Sequence, residues 1–229
     1  MRTRRELSVL VPSLNAAAGL GRTLAALAGQ VAETIVADGG STDGTRDLAS
    51  AAGARVIAAP RGRGSQLAAG AAAINVPWLL VLHADTVPGP GWRDAAEAFI
   101  ADPANTRRAA YFRFALDDAS PQARRLERAV AWRCRVLGLP YGDQGLLISR
   151  DFYESLGGYS SIPIMEDVDL ARRIGRHRLV GLDVPFVTSA ERWRREGWRR
   201  RSARNLACLA LWFAGVPPER IARFYARRR

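Results

Sequence analysis

The stretch ETIVADGGSTDGT, Glu33 to Thr45, decides the reading of the fold. It passes from a short β-branched apolar run directly into Asp, Gly, Ser and Thr, the residues of tight turns and helix N-caps. With TRDLASAA following, it reads as one strand, one loop and one helix. Asp43 is expected to cap that helix. Asp38 stands at the carboxyl end of the strand, either as a turn residue or as a ligand contact.

The same unit recurs on both sides. Expected strands at Leu7 to Val11, Thr34 to Ala37, Arg55 to Ala58 and Trp78 to His83 alternate with expected helices at Ala17 to Ala28, Asp43 to Ala52, Ser65 to Ile74 and Gly91 to Ala101. Four βα units in succession predict an α/β fold with a mostly parallel central sheet flanked by helices. Further on, the pattern predicts a strand at Ala109 to Ala115, a basic helix at Pro121 to Leu137 and a strand near Gly145 to Ser149. Short helices are expected from about Asp151 and Glu166, and a long one after Glu191. The expected organisation is one domain over residues 1–190 and a basic amphipathic helical extension over residues 191–229.

Composition narrows the partners. All 34 basic side chains are Arg, against 22 acidic ones, for a net charge of +12 that favours phosphate-rich ligands or anionic lipid. The excess is concentrated from Glu191 onward, where twelve arginines face three glutamates. No groove-reading motif or run of stacking aromatics accompanies them, so nucleic acid is not the expected partner. Cys134 and Cys208 lack metal-like spacing and suit a reducing cytoplasm. The start, MRTRRELSVLVPSLN, does not read as a signal peptide. The longest apolar run, Leu206 to Val216, is shorter than the ~20 residues of a membrane span.

Open α/β sheets bind ligands at the carboxyl ends of their strands. A dinucleotide fingerprint is absent after the first strand, and GRGSQL, Gly62 to Leu67, lacks the third glycine. No P-loop, nucleophile elbow or HExxH occurs. WLLVLHADT instead delivers His83 and Asp85 to the crevice. Asp85 either helps to hold a hard divalent cation or ends the strand and caps the next helix. His83 either contacts a ligand or packs as a structural hydrogen-bonding residue. In MEDVDLARRI, Glu166, Asp167 and Asp169 either complement the dipole of a helix N-terminus or carry acid–base chemistry. Successive helical residues point about 100° apart, so only one of Glu166 and Asp167 can face a ligand in the crevice squarely. His177 has no motif partner and reads as structural.

VPSLNAAAGL, VADGGSTDGT, LHADT, GDQGLLISRDFYESLGGY and MEDVDLARRI stand in the order and spacing of family 2 glycosyltransferases, and the chain resembles that family from about Leu7 to Thr188. The basic end is similar to one small bacterial branch. The resemblance implies a GT-A nucleotide-diphospho-sugar transferase fold and inverting transfer of a hexosyl group from a nucleoside-diphosphate donor, first of all a UDP-sugar, to an acceptor hydroxyl. It implies that Pro12 and Asn15 line the nucleotide cleft, that Asp38 accepts a hydrogen bond from the base, and that Arg63 and Gln66 reach the nucleotide while Gly70 admits close helix packing. Asp85 takes the metal position, with Mn²⁺ or Mg²⁺ as cofactor. His83 occupies the first position of the usual Asp-x-Asp motif, where a neutral imidazole can donate to a ribose or phosphate oxygen. Asp167 matches the catalytic base, with Glu166 beside it. Asp143 and Gln144 are implied acceptor contacts, and Arg192 and Trp193 lie near the phosphates and acceptor, against the alternatives of solvated arginines and a packed Trp.

Two other functions share these features, a non-catalytic nucleotide-sugar or membrane-associated binding module and a nucleotidyltransferase on a related sheet. In the tail, Leu206, Leu209, Trp212, Phe213 and Val216 recur at helical spacing beside Arg199, Arg200, Arg201 and Arg204. This stripe either lies on a membrane next to a lipid-linked acceptor or closes the core. The expected location is the cytoplasm, with peripheral contact to the inner membrane face open to the tail.

Overall fold

Apolar side chains at consecutive rather than alternate positions make LSVLVPS a strand buried on both faces, and in the computed structural model, which describes residues 6–226, all of β1 (Leu7–Ser13) is buried. Residues 1–5 and 227–229 lie outside the described residues. Three βα units follow as expected: α1 (Ala17–Leu27), β2 (Glu33–Asp38), α2 (Thr45–Ala51), β3 (Arg55–Ala58), α3 (Arg63–Ala72) and β4 (Trp78–Val81). β1 pairs in parallel with both β2 and β4, and β2 with β3.

The second half adds β5 (Thr86–Pro88), α4 (Trp92–Ala101), β6 (Ala109–Leu116), α5 (Pro121–Leu137), β7 (Leu146–Ser149), α6 (Arg150–Ser155), α7 (Glu166–Ile174) and β8 (Leu179–Thr188). The eight strands form one sheet in the order β3-β2-β1-β4-β7-β6-β8-β5. Its ladders are parallel except for β4 with β7, β6 with β7 and β5 with β8. Strand alternation then divides the core. Val9, Val11, Leu80 and Phe112 meet α1 and α4 through Leu20, Leu24, Trp92 and Phe99. Leu10, Ile35, Leu79 and Ile148 face the other way onto Leu67, Phe152 and Leu170 of α3, α6 and α7. Gly70 matters here, because a Cβ on it would stand 2.1 Å from Leu10 Cδ1.

Three strands differ from the sequence reading. β8 contains Gly181 and Pro185, which break the strand signal, and the sheet absorbs the proline with a register shift opposite Phe112 and Arg113. β5 is too short to register as a pattern. The strand expected to reach His83 ends at Val81.

The expected long helix after Glu191 is three: α8 (Glu191–Glu196), α9 (Trp198–Phe213) and α10 (Pro218–Ala226). Gly197 and Gly215, at φ 87° and 77°, break it in left-handed conformations. Its apolar stripe divides. Cys208, Leu209 and Ile221 pack with Leu139, Ile164, Met165 and Val168, whereas Leu206 and Phe213 stand out into solvent. Among the described residues, no helix is long and apolar enough to cross a membrane.

Candidate active site

β7 runs antiparallel to β4, with Leu146 beside Val81, so the loop entering β7 arrives at the edge where β1, β2 and β4 end. β8 is parallel to β6 and finishes at that edge, where β5 begins with Thr86 opposite Thr188. This topology gathers Asp38, Arg63, His83 with Asp85, Asp143, Asp167 and Arg192 from six distant stretches of chain.

On one side, the β1–α1 and β2–α2 loops are latched together. Asn15, at φ 50°, accepts from Thr42 N at 2.9 Å through Oδ1 and donates its own N–H to Ser41 Oγ at 2.9 Å. Ala16 N donates to Thr45 Oγ1 at 2.8 Å, and Ala17 N donates to Asp43 Oδ2 at 3.2 Å. Asp43 therefore serves the start of α1 as well as that of α2, where Thr45 N also donates to it at 3.2 Å. Pro12 is buried in β1 next to Ala37.

Two residues implied as nucleotide contacts are committed elsewhere. Asp38, 2% exposed, receives Ser13 Oγ at 3.2 Å and Ser41 Oγ at 2.5 Å on Oδ1, and Gly40 N at 3.0 Å and Ser41 N at 2.9 Å on Oδ2. A carboxylate has about four acceptor positions, and all are filled, so Asp38 shapes the loop and presents no free oxygen to a base. Burial opposes its charge, but the Ser41, Gly40 and Ser13 hydrogen bonds hold the carboxyl below its ordinary range. Gln66 is also buried. Its Nε2 donates to Ser13 O at 2.5 Å and Ala37 O at 3.0 Å, tying together the ends of β1 and β2 instead of reaching a ligand.

The acidic turn divides as helical geometry requires. Asp167 lies at the crevice, where Oδ2 accepts from Gly142 N at 3.1 Å and Oδ1 from Val168 N at 2.8 Å. Glu166 turns inward, fully buried, and pairs with Arg63 Nε, so it supports the site without touching an acceptor. Burial and the neighbouring Asp167, opposed by Arg63, push its carboxyl up to about 7. Arg63, only partly buried, is held charged by Glu166 and Asp167 against the desolvation it does suffer. The approach depends on Gly64, where a Cβ would stand 2.2 Å from Ser160 O. Met165 precedes the acids at φ 68°, a strained conformation for a non-glycine residue, fixed by its packing against α9 and α10. Asp169 faces away and binds Arg173 Nη2 at 2.5 Å and Ser160 Oγ at 2.7 Å.

His83 lies against the backbone of Gly142, where a Cβ would come 2.3 Å from Nε2. Burial, with the charges of Arg63 and Arg192, lowers the imidazole to about 3 against the pull of Asp167, so it is neutral. Asp85 follows on a loop anchored by Thr23 Oγ1 to Ala84 O at 2.9 Å and by Ser189 N to Asp85 O at 3.3 Å. Asp143 carries a buried Oδ1 without a hydrogen-bond partner. Burial, countered by Arg133 and reinforced by Asp167 and Asp85, raises it to about 6. Thr188, which the sequence reading passed over, donates to Asp143 O at 3.4 Å.

Two further expectations are corrected. Gln144 is 1% exposed and spends its amide on Arg133, Tyr141 N and Phe112 O, so it braces the loop and offers nothing to an acceptor. Trp193 is buried among Phe114, Trp198 and Arg201, whose guanidinium carbon lies 4.6 Å from its ring. Arg192 beside it stays exposed, and its charge reaches His83. His177 is exposed on a short 3-10 turn.

Among the described residues no three His, Cys, Asp or Glu side chains form a metal cage. The donor set fits a hard cation that takes one carboxylate from Asp85 and its remaining ligands from a diphosphate and water. A neutral His83 packed on Gly142 adds no charge to that set.

The family model described as glycosyl transferase family 2 matches residues 8–135, more than half of the chain. The chain belongs to glycosyl transferase family 2. This glycosyltransferase has the GT-A fold, and it is similar to solved structures of glucosyl-3-phosphoglycerate synthase from Mycobacterium tuberculosis. The complex of that synthase with Mn²⁺, UDP and glucosyl-3-phosphoglycerate gives a TM-score of 0.56 at 23% identity, over 78% of this chain and 70% of the other. The complex with Mn²⁺, UDP-glucose and glycerol 3-phosphate gives 0.57 at 23% identity, with the same coverage of 78% and 70%. No curated protein sequence matches this family 2 chain.

Proposed function

We propose that this glycosyltransferase transfers a sugar with inversion from a nucleoside-diphosphate donor, a UDP-sugar first among them, to an acceptor hydroxyl by direct displacement. The position of Asp167 is the observation that carries the reading. Its carboxylate lies at the crevice edge, oriented by Gly142 N and Val168 N, on the same edge as Asp85, within the field of Arg63 and near the neutral His83. In this reaction the acceptor oxygen bonds to the anomeric carbon as the bond from that carbon to the diphosphate oxygen breaks. Asp167 takes the hydroxyl proton, and the nucleoside diphosphate leaves with the electron pair.

Charge then builds on the leaving diphosphate. Arg63 and Arg192 supply fixed positive charge for it, and His83, being neutral, is suited to donate a hydrogen bond to a phosphate or ribose oxygen. A divalent cation, Mn²⁺ or Mg²⁺, is the cofactor in this reading. Asp85 would hold it together with donor oxygens, and it would supply neutralising charge to the diphosphate. The Mn²⁺ and UDP in the synthase structures support that assignment. Base recognition falls to the loop that Asp38 builds, beside Pro12 and Asn15, and Asp143 is the acceptor-side carboxyl. We assign the catalytic domain to residues 1–190 and treat residues 191–229 as an extension packed on it through α9 and α10.

Calorimetric titration of UDP into the wild type and Asp85→Ala, with and without Mn²⁺, tests the donor site. Metal should strengthen binding in the wild type alone. Asp167→Asn should bind UDP normally while transfer falls by about 10²–10⁴-fold. Retained turnover in that variant, or failure of every nucleoside diphosphate to bind, would overturn the proposal.

A further inference from the structure

Among the described residues, the large apolar side chains that stand more than a third exposed are Trp132, Val136 and Leu137 of α5 and Leu206 and Phe213 of α9. They form ordered rows. On α5, Trp132 has Arg128 one turn before it and Arg135 and Val136 one turn after, all exposed. On α9, Arg199, Ala203, Leu206, Ala210 and Phe213 recur at spacings of three and four and are likewise exposed.

The two rows are joined across α7. Gly138, which closes α5, packs so tightly on Arg176 that a Cβ would stand 2.8 Å from that residue's Cβ. Arg172, one turn earlier, holds its guanidinium carbon 5.2 Å from the Phe213 ring. Leu139, next after Gly138, shares an apolar cluster with Cys208 and Leu209 of α9.

We propose that the outer faces of α5 and α9, bridged by Arg172 and Arg176, form a docking surface for an anionic lipid bilayer. Charge decides the occupant. Arg128, Arg135, Arg172, Arg176 and Arg199 have no carboxylate partner among the described residues, and α9 contains no acidic residue. Glu127, the acid of α5, is taken by Leu116 N and Arg124. A second copy of the chain would bring the same unpaired cations to a two-fold contact, where like charges repel. Lipid phosphates accept these guanidinium groups, while Trp132 and Phe213 enter at headgroup level. This surface includes α5, beyond the tail considered from the sequence, and it does not depend on the transferase reading.

Flotation of the full-length protein with vesicles of phosphatidylcholine alone, or mixed with phosphatidylglycerol, tests the surface. Binding to the mixed vesicles alone is expected, weakening as salt is raised. Trp132→Ser with Phe213→Ser, and separately Arg128→Gln with Arg135→Gln, should each reduce the partition by roughly an order of magnitude. All four positions are exposed, so folding should persist, and an unchanged melting temperature verifies it. No flotation at low salt, or flotation indifferent to both pairs of changes, overturns the proposal. So does a dimer in solution that Trp132→Ser dissociates, which would assign the face to a second copy. UDP titration of the same variants reports on the donor site separately.

Discussion

Replacing Glu166 with Gln isolates the energetic consequence of burying a carboxyl beside Asp167, the proposed base. Glu166 is fully buried, and its proton is retained up to about pH 7 rather than the ordinary 4.5. Between those values the native state binds a proton that the unfolded state has released, so stability falls as pH rises. At about 1.4 kcal/mol per pKa unit, a shift of about 2.5 units amounts to roughly 3 kcal/mol, lost progressively between about pH 4.5 and 7.

Other groups titrate in the same range. His83, lowered to about 3, makes stability rise with pH up to its ordinary 6.5, because there the unfolded state binds the extra proton. Asp143, raised to about 6, acts in the same direction as Glu166. Both remain in Glu166→Gln, and the difference between the two proteins isolates Glu166. Losing the ion pair also displaces the whole curve, but Arg63 remains about a third exposed and can be hydrated. Urea unfolding at intervals from pH 4.5 to 8 is the assay. The stability of Glu166→Gln minus that of the wild type should climb by about 3 kcal/mol across the range. A flat difference would refute the buried, proton-retaining Glu166.

Gln66→Leu leaves Ser13 O and Ala37 O without their donor and should lower stability by about 1–3 kcal/mol in urea unfolding. Weakened UDP binding at unchanged stability would instead restore Gln66 as a nucleotide contact. Trp193→Ala should cost about 3–5 kcal/mol by emptying a buried site between α5, α8 and α9. Donor KM measured well below the melting temperature should be unchanged, and a raised KM would return Trp193 to the phosphate site.

The first half of the fold was legible because each βα unit carries its own signals. The apolar run of β1 and the Gly-Asp-Ser-Thr loop after β2 are local features, and the observed elements follow them closely. β8 was illegible because Gly181 and Pro185 interrupt its pattern, and only its neighbour β6, with a register shift, makes it a strand. The quoted motifs also mark loops that the sheet topology gathers at one edge.

What each polar side chain does there was settled by tertiary structure. Asp38 and Asp167 are both carboxylates at loop-facing positions, but Ser13 and the Ser41 loop fill the acceptor positions of the first, and Gly142 N orients the second toward the crevice. Gln66 and Gln144 resemble ligand contacts until backbone carbonyls and Arg133 claim their amides. The division of the C-terminal stripe has the same origin, since helical spacing marks Leu209 and Phe213 alike, and the packing of α7, α10 and Leu139 buries the first while the second stays half exposed. Periodicity and turn chemistry are properties of neighbouring residues. Hydrogen-bond satisfaction and burial depend on groups tens of residues away, and they exist only once the chain has folded.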